Sequence, residues 1–489
     1  MKLTSILGHS SELLRIIRKS YQPSDLIASD FFRKKKYIGS SERRFISELV
    51  FSTLRGFRLF EYCMNNSVKN IRSILYSDNE FLILVTSLYI FEYYEKYHSI
   101  FHPSSLACKF YETDDTELFQ NLKNAVIEKF EIDIKISEEF FKNVEIKFNE
   151  LDSVARQLLH KNKPLVDNQI KILSLRYAMA EWIVENWLKN ENFKMSINEV
   201  CELSESLLSP APLTIRIKLS QISRNEVLLF LNRNNLDCKE CSISPSGITL
   251  GKRTQLTTLD IFKKGLIEVQ DEGSQLISYA LAPERDDRIL DACAGAGGKS
   301  LHIADLISNS GKITSNDIDF RKLNELSKRA KRSGFDSIKV ENMSKIKRTS
   351  NQNKNELKYK LFDKVLVDVP CSGMGTVRRM PMQKWRLTPE LLKKHSNRQL
   401  KILEEYSRFV CDGGVLVYST CSLMAEENEE VINKFLSQNK DFQPYPLKPA
   451  FDKFDIKIDG LNVHDFTLRL MPHKHGCDGF FIAKFIREN

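Results

Sequence analysis

Four short apolar segments after residue 270 constrain the fold of this 489-residue chain more than any other feature. They read RILDACAG, KITSNDID, FDKVLVDVP and GGVLVYSTCS, and stretches with helical periodicity separate them. Strands that alternate with helices form parallel βαβ units, whose sheet is covered by helices on both faces. Residues 271–489 are therefore predicted to form a Rossmann-like α/β domain.

The preceding residues predict two further parts, so the expected fold class is multidomain. Up to about residue 150 apolar residues recur at helical spacing, as in SSERRFISELVFSTLRGFRLFEYCM, which predicts an all-α domain over 1–150. Residues 151–270 are predicted to form a helical linker and then a small α+β module, because alternating strands begin near Pro210. The longest apolar run, 81–94, is shorter than the ~20 residues of a membrane span and is predicted to be a core helix.

The net charge of +9 conceals an uneven distribution of charge along the chain. The block 301–400 holds 22 basic and 10 acidic residues, a surplus larger than that of the whole protein. The 10 cysteines are too sparse for a disulfide scaffold, and no secretory signal is visible at the N-terminus. We therefore expect a cytoplasmic protein with no membrane association.

A glycine-rich loop, DACAGAGGKS at 291–300, follows one of the predicted strands and precedes the helical LHIADLI. Backbone N–H groups in such a loop can approach a ligand closely, although a tight turn that binds nothing has the same pattern. Asp317 lies nineteen residues after Gly298, where a carboxylate can bind the hydroxyls of a ribose. The two features predict a nucleoside-containing cofactor, with NAD and S-adenosylmethionine both possible at this point.

Two cysteines follow the next two predicted strands. Cys371 comes after Asp368 in DVPCSG, and Cys421 lies in STCS. A single cysteine is usually a small buried residue, but the carboxyl ends of parallel strands form the ligand crevice, so both thiols are expected to face the cofactor. A thiolate that adds to position 6 of cytosine makes position 5 nucleophilic enough to take a methyl group. This chemistry needs a nucleophilic cysteine, a group such as Asp368 that hydrogen-bonds the ring, and a helper for release.

Five segments carry a resemblance to a known family: DACAGAGGKS, NDID, VLVDVPCSGMGTVRRMP, VYSTCSLMAEEN and DGFFIAKFI. From about residue 210 onward the chain resembles the Sun/Fmu (RsmB) family of RNA (cytosine-5) methyltransferases. Its helical start resembles the NusB-like RNA-binding domain of the members that act on 16S rRNA. The resemblance implies an S-adenosyl-L-methionine-dependent enzyme, with 16S rRNA as the expected substrate and RNA as the expected partner.

The resemblance also implies roles for individual residues. Cys421 would be the covalent nucleophile, Cys371 would assist release of the methylated base, and Asp368 would contact the base. The residues implied to hold S-adenosyl-L-methionine are Cys293, Ala294, Gly295, Ala296, Gly297, Gly298, Lys299, Asp317, Asn342 and Asp368.

Two positions depart from the pattern of the family. Gly295-Ala296 stands where CAAPGGK is usual, and the loss of the proline makes the free loop more flexible, which weakens cofactor binding. Asn342 stands where an acidic residue near the adenine is usual, and its amide oxygen can still accept a hydrogen bond from an amine.

Basic residues in two parts of the chain are predicted to bind RNA phosphates. They are Arg378, Arg379, Lys384 and Arg386 after the first cysteine motif, and Arg43 and Arg44 in the helical part. Two other functions stay open: the same chemistry on tRNA, and a non-catalytic RNA-binding or ribosome-assembly protein with a decayed methyltransferase core.

Two motifs with metal-like spacing are predicted not to bind metal. Cys238 and Cys241 have no second CxxC or paired His at a suitable distance. The segment from His473 to Cys477 precedes the predicted strand DGFF and is predicted to be a polar turn. Glu426, Glu427 and Asn428 begin a helix after the nucleophile, where carboxylates suit the helix dipole, and are predicted to support that turn.

Overall fold

The computed structural model describes residues 2–67, 79–97, 115–158, 167–251, 254–341 and 361–488. The chain forms two compact units. We call the first the helical unit, which contains Met1–Pro210 and Thr376–Leu387, and the second the sheet unit, which contains Ala211–Gly375 and Thr388–Asn489. The predicted multidomain fold, with a helical N-terminal part and a mixed α/β part, is confirmed.

The helical unit is built from amphipathic helices whose apolar residues recur every three to four positions. Its helices before Pro210 are α1 Leu3–Lys19, α2 Ser24–Lys34, α3 Ser40–Arg55, α4 Phe57–Ser67, α5 Asn79–Tyr97, α6 Asp115–Phe130, α7 Ile134–Leu158, α8 Asp167–Arg176, α9 Glu181–Lys189 and α10 Ile197–Ser206. The segment Thr376–Leu387 adds a short helix at Gln383–Arg386. Residues such as Phe45, Leu49 and Phe140 form one continuous apolar core.

Helix α5 contains the apolar run that the sequence predicts to be a core helix. Its residues from Phe81 to Val85 are at most 1% exposed and pack in the core of the helical unit. Across the described residues, we find no helix with the length and apolar character that a membrane span requires.

The sheet unit begins with a small antiparallel sheet in the order β2-β3-β1-β4. Its elements are β1 Leu213–Ile217, α11 Arg224–Arg233, β2 Cys238–Glu240, β3 Gly247–Leu250, α12 Asp260–Lys263 and β4 Ile267–Val269. Alternate residues of β1, such as Ile215 and Ile217, pack with Val227 and Leu231 of α11. In this small α+β module, the apolar residues that alternate along β1 pack against helix α11.

The larger sheet has eight strands, and its path runs β10-β12-β9-β8-β5-β6-β7, with β11 paired to β12. Its elements are α13 Glu272–Leu281, β5 Arg288–Asp291, α14 Gly298–Leu306, β6 Lys312–Ser315, α15 Phe320–Ser333, β7 Ile338–Val340, β8 Phe362–Asp368, α16 Pro389–Ser407, β9 Val410–Thr420, α17 Glu429–Gln438, β10 Phe442–Pro444, α18 Lys448–Asp452, β11 Thr467–Leu470, α19 Pro472–His475 and β12 Phe480–Arg487.

The four strands predicted from the sequence lie side by side and parallel in this sheet. They are β5, β6, β8 and β9, and β12 joins the edge of β9 in the antiparallel direction. The chain continues from β5 to β6 on one side, and β8 later pairs with the other side of β5. Such a switch point opens a crevice beyond the carboxyl ends of the central strands, where ligands bind.

Candidate active site

The loop between β5 and α14 lies at this switch point and turns through two glycines in the left-handed region. Gly297 has φ +88° and Gly295 has φ +56°. A Cβ on Gly297 would lie 2.4 Å from Cγ of Leu326, so the packing of α15 requires glycine there. A Cβ on Gly295 would have no atom within 4 Å, so open space lies beside the loop where a ligand can approach.

The far side of the loop is held by Asp317 and its neighbour. The Gly295 N–H donates to Oδ2 of Asp317 at 2.9 Å, and the Ala294 N–H donates to the Asn316 carbonyl at 2.8 Å. The N–H of Asp319 donates to the other oxygen of Asp317 at 2.8 Å. The residues that replace the usual Ala-Pro pair are therefore accommodated, since Gly295 adopts a positive φ at little cost and its N–H is bonded.

Asp291, at the end of β5, supports the loop from below. It is 1% exposed, and the Ser300 hydroxyl donates to its Oδ2 at 2.6 Å. Burial raises the pKa of Asp291 to about 7. Nothing in the sequence indicated this role beyond the position of Asp291 at the end of a predicted strand.

Lys299 and Asp368 form an ion pair between the cofactor loop and the end of β8. Nζ of Lys299 lies 2.6 Å from Oδ2 of Asp368, and the Ser419 hydroxyl donates to Oδ1 at 2.7 Å. Burial by itself lowers the pKa of Lys299, but Asp368 outweighs it and the pKa is raised. The Asp368 carboxylate is thus held in one orientation by two donors.

The two cysteines predicted to be catalytic meet, although fifty residues separate them in the chain. Sγ of Cys371 lies 3.3 Å from Sγ of Cys421. The pKa of Cys371 is raised well above its ordinary value by the hydrogen bond with Cys421, by burial and by the charge of Glu427. A neutral thiol at 371 can donate a hydrogen bond to the sulfur of Cys421.

Glu427 joins the two cysteine loops and is fully buried. Its Oε1 accepts from the Ser372 N–H at 2.8 Å and from Nε2 of Gln399 at 2.9 Å. Its Oε2 accepts from the hydroxyls of Ser372 and Ser422. Glu427 was predicted to support the turn after Cys421, but its contact with the Cys371 loop could not be predicted, because that loop is distant in the chain.

The basic residues after the first cysteine motif are placed differently from the prediction. Lys384 is 1% exposed and its Nζ donates to the Arg55 carbonyl at 2.6 Å, and Arg378 is 5% exposed. Arg386 donates to the carbonyls of Ile17 and Ser20. We therefore correct the predicted phosphate contacts of Lys384, Arg378 and Arg386: these side chains lie against the helical unit's own backbone or interior. Arg379 is half-buried.

The remaining predicted residues have simpler placements. Nε of Arg43 donates to the Ile38 carbonyl at 2.7 Å, and Arg44 is exposed and pairs with Glu48 at 3.0 Å. Asn342 lies outside the described residues.

The two motifs with metal-like spacing are engaged in ordinary hydrogen bonds. The thiol of Cys241 lies 3.4 Å from the Thr249 hydroxyl, that of Cys238 donates to Oδ1 of Asn232, and Nδ1 of His475 accepts from the Met471 N–H at 2.9 Å. Within the ranges that the structure describes, no three metal-binding side chains are grouped together.

The residues of the crevice fit a nucleoside-containing cofactor. The start of α14 supplies backbone N–H groups, Gly295 leaves open space beside it, and Asp317 supplies a carboxylate at the end of β6. The thiols and Asp368 lie at the ends of the two neighbouring strands.

Residues 278–486 match a family model described as 16S rRNA methyltransferase RsmB/F. A Bacillus subtilis protein named probable ribosomal RNA small subunit methyltransferase B is 29% identical over 492 residues and is matched over 100% of both chains. A Synechocystis protein of the same name is 33% identical, with 66% of this chain and 70% of that protein covered. The 26S rRNA (cytosine-C(5))-methyltransferase nsun-1 of Caenorhabditis elegans is 29% identical, with 58% of this chain and 44% of that protein covered.

A solved structure supports the same fold. The methyltransferase homolog protein from Pyrococcus horikoshii has a TM-score of 0.53 and 27% identity, and the match covers 66% of this chain and 100% of that one.

Proposed function

Because the chain belongs to the RsmB/F family of 16S rRNA methyltransferases, we propose that it methylates carbon 5 of a cytosine in 16S rRNA through a covalent Cys421 adduct. The observation that carries the proposal is the pair of thiols 3.3 Å apart, beside Asp368 and the cofactor loop. S-adenosylmethionine, when bound, supplies an electrophilic methyl group. The loop from Cys293 to Lys299, together with Asp317, would hold S-adenosylmethionine.

The side chains divide the reaction into addition and elimination. The Cys421 thiolate adds to carbon 6 of the cytosine, and the ring is hydrogen-bonded by Asp368, which Lys299 and Ser419 hold in place. Carbon 5 then takes the methyl group. The Cys371 sulfur lies 3.3 Å from that of Cys421 and, once its own proton has passed to water, accepts the carbon 5 proton. Departure of the Cys421 sulfur restores the base.

Two cysteine variants test this division of roles. With S-adenosylmethionine and deproteinised small-subunit rRNA, Cys371→Ala should accumulate a protein–RNA adduct that survives a denaturing gel, because elimination loses its base. Cys421→Ala should form none, because addition cannot begin. Cys411→Ala, a thiol of β9 that contacts Asp363, is the matched control and should turn over as the wild type. Adducts in Cys421→Ala would show that the two roles are reversed.

The substrate is tested on both classes of RNA. Labelled methyl groups should enter 16S rRNA and not tRNA, and bisulfite-resistant cytosines should appear in 16S rRNA only when active protein is present. Label in tRNA alone would favour the tRNA alternative. Absence of label and of cofactor binding would favour a decayed, non-catalytic core.

We also propose that the exposed face of α16 binds RNA phosphates in place of the buried cations. Lys393, Lys394, Arg398 and Lys401 are exposed on this helix. Its opposite face reaches the Cys371 loop, since Nε2 of Gln399 donates to the Pro370 carbonyl at 3.1 Å. Burial raises the pKa of the Cys293 thiol, and the charge of Arg398 opposes this rise, so the basic face lies within electrostatic reach of the cofactor loop.

Salt dependence of RNA binding tests the α16 surface. Each cation that contacts a phosphate contributes about 0.7 to 0.9 to the slope of log K against log salt concentration. Replacing Lys393, Lys394 and Lys401 together by Gln should reduce the magnitude of this slope by about two and weaken RNA binding. Lys434→Gln on α17, which pairs with Glu430, is the control. An unchanged slope in the triple variant would exclude this face.

A further inference from the structure

We propose that Glu427 is a positioning residue whose carboxylate sets the separation of the Cys371 and Cys421 thiols. The proposal deepens the proposed function, because it concerns the same pair of thiols. It rests on three observations: the cysteines lie beyond the strand ladder, one carboxylate bonds to both of their loops, and Asn428 fixes the backbone beside Cys421.

The ladder of the sheet ends before the two cysteines. Strands β8 and β9 pair in parallel up to Asp368 opposite Ser419, and the Val369 N–H donates to the Ser419 carbonyl at 3.0 Å. Cys371 lies two residues beyond Val369, and Cys421 lies one residue beyond Thr420, which pairs with Phe481 of β12. Beyond the ladder the Gly375 N–H donates to the Cys421 carbonyl at 2.9 Å, and side-chain contacts supply the other bonds between the two loops.

The Glu427 carboxylate supplies contacts to both loops through the residue that follows each cysteine. Ser372 donates its N–H and its hydroxyl, and Ser422 donates its hydroxyl. A fourth hydrogen bond comes from Nε2 of Gln399. A carboxylate is acceptor-only and can accept all four, whereas a glutamine side chain has a single acceptor oxygen. Buried hydrogen bonds to a charged group are stronger than those between neutral groups.

The neighbouring residue fixes the other side of the nucleophile. Oδ1 of Asn428 accepts from the Thr420 hydroxyl at 2.6 Å, and its Nδ2 donates to the Ser422 carbonyl at 3.0 Å. The Glu427 carbonyl accepts from the Tyr418 hydroxyl at 2.6 Å. Residues 427–428 thus hold the backbone on both sides of Cys421, and the carboxylate of Glu427 connects this fixed segment to the Cys371 loop.

The catalytic consequence follows from geometry. Addition and elimination act on adjacent ring carbons, so both sulfur atoms must reach one bound base in turn. A displacement of ~1 Å of a reacting group can cost about 100-fold in rate. Loss of the Glu427 carboxylate removes three hydrogen bonds that join the thiol loops, while the bond from the Gly375 N–H to the Cys421 carbonyl at 2.9 Å remains. The Ser372 and Ser422 hydroxyls, 3.2 Å apart, lose their shared acceptor, so fewer bonds fix the positions of the two thiols.

Capture of phenylarsine oxide measures the separation of the thiols without any catalytic step. The reagent forms two As–S bonds, takes both thiol protons and releases one water, so it is retained tightly only where two thiols lie close together. Intact mass spectrometry counts the bound arsenical, and the ethanedithiol concentration that strips it reports the affinity. Cys371→Ala gives the background from the other cysteines.

Glu427→Ala should reduce arsenical retention to the level of Cys371→Ala and lower kcat by about 100-fold, with KM for S-adenosylmethionine within about two-fold of the wild type. Glu427→Gln should be intermediate, because it keeps one acceptor oxygen. Glu430→Gln, one turn onward in α17 and outside this network, should match the wild type.

Wild-type retention in a folded Glu427→Ala would overturn the proposal. If that variant does not fold, Glu427→Gln and the double variant Ser372→Ala/Ser422→Ala decide: reduced retention supports the proposal, and wild-type retention in both contradicts it. Retention that depends on Glu427 in a protein that methylates no cytosine would leave the positioning role intact and reject the proposed function.

Discussion

Glu427 and Lys384 are two charged side chains that lie in the interior of the protein. Glu427 is fully buried and accepts four hydrogen bonds from neutral donors. Lys384 is also buried, but its ammonium donates to the Arg55 carbonyl, close to the positive charge of Arg55. Burial, with that charge, lowers the pKa of Lys384 to about 7. Hydrogen-bond donors surround the Glu427 carboxylate and stabilise its charge. The Lys384 ammonium lies near another positive charge, so it loses its proton more easily.

The lowered pKa of Lys384 predicts a pH dependence of stability. Between about pH 7 and pH 10 the unfolded chain binds one more proton at this residue than the folded chain, so stability rises with pH. Below about pH 7 both states are protonated and the contribution is constant. Relative to Lys384→Met, the wild type should gain up to ~1.4 kcal/mol in the free energy of unfolding per pH unit in this window.

Urea unfolding of the full chain at pH 7, 8 and 9 measures this difference. Lys401→Met, at an exposed position of α16, is the control and should show no such trend relative to the wild type. A constant difference between wild type and Lys384→Met would mean that the buried amine keeps its ordinary pKa.

At the scale of the element, the β5–α14 loop is specified by its glycines, and each serves a different purpose. Gly297 lies against Leu326 of α15 and has φ +88°, so both sterics and backbone conformation require glycine. Gly295 has a positive φ but open space around it, so only the backbone conformation favours glycine. Packing and backbone conformation both require glycine at 297, whereas backbone conformation alone favours it at 295.

A matched pair of alanine variants separates these two effects. Gly295→Ala should cost about 1 to 2 kcal/mol, the usual penalty for a left-handed non-glycine residue. Gly297→Ala should cost clearly more, because the added Cβ also displaces Leu326 and with it α15. Thermal unfolding, together with calorimetric titration of S-adenosylmethionine, measures both. Equal losses in the two variants would mean that the Leu326 contact is relieved without cost.

Helix ends show why the basic segment after the first cysteine motif lies in the helical unit. The last carbonyl groups of an α-helix have no partner within the helix, and cations are favourable there. Trp385 Nε1 donates to the Leu54 carbonyl at 2.9 Å, and Lys384 donates to the Arg55 carbonyl at the end of α3. Arg386 does the same for Ile17 and Ser20 at the end of α1.

At the scale of the whole molecule, the helical unit is discontinuous in sequence. It needs Thr376–Leu387, which follow 165 residues of the other unit, and Met382 from this segment is part of its core. The Arg55 guanidinium also donates to the Arg378 carbonyl at 3.1 Å. The N-terminal residues alone therefore lack part of their own core and the partners of two helix ends.

A fragment of residues 1–210 should consequently be stabilised by a peptide that spans 374–390. We expect the melting temperature of the fragment to rise with peptide concentration, as binding to the folded state requires. A peptide of the same composition in scrambled order, and one with Trp385→Ala, are the controls. No shift with the native peptide would show that this segment adds nothing to the stability of the helical unit.

The parallel α/β sheet, the glycine loop and the two cysteine motifs at strand ends could be predicted from local sequence. These features are encoded by residues adjacent in the chain: the spacing of apolar residues sets the secondary structure, and glycines at fixed positions set the turn. The strands β5, β6, β8 and β9 were predicted on this basis and are present.

The residues that meet from distant parts of the chain, and the charges that are buried, depend on the tertiary structure. The 3.3 Å approach of Cys371 and Cys421, and the bond of Glu427 to both of their loops, join segments about fifty residues apart. The sequence also predicted that Lys384 and Arg386 bind RNA phosphates, because they lie in the basic segment that follows the Cys371 motif. Both side chains instead donate hydrogen bonds to carbonyl groups at the ends of α1 and α3. A local sequence pattern cannot predict these contacts, because the two helices lie in a distant part of the chain.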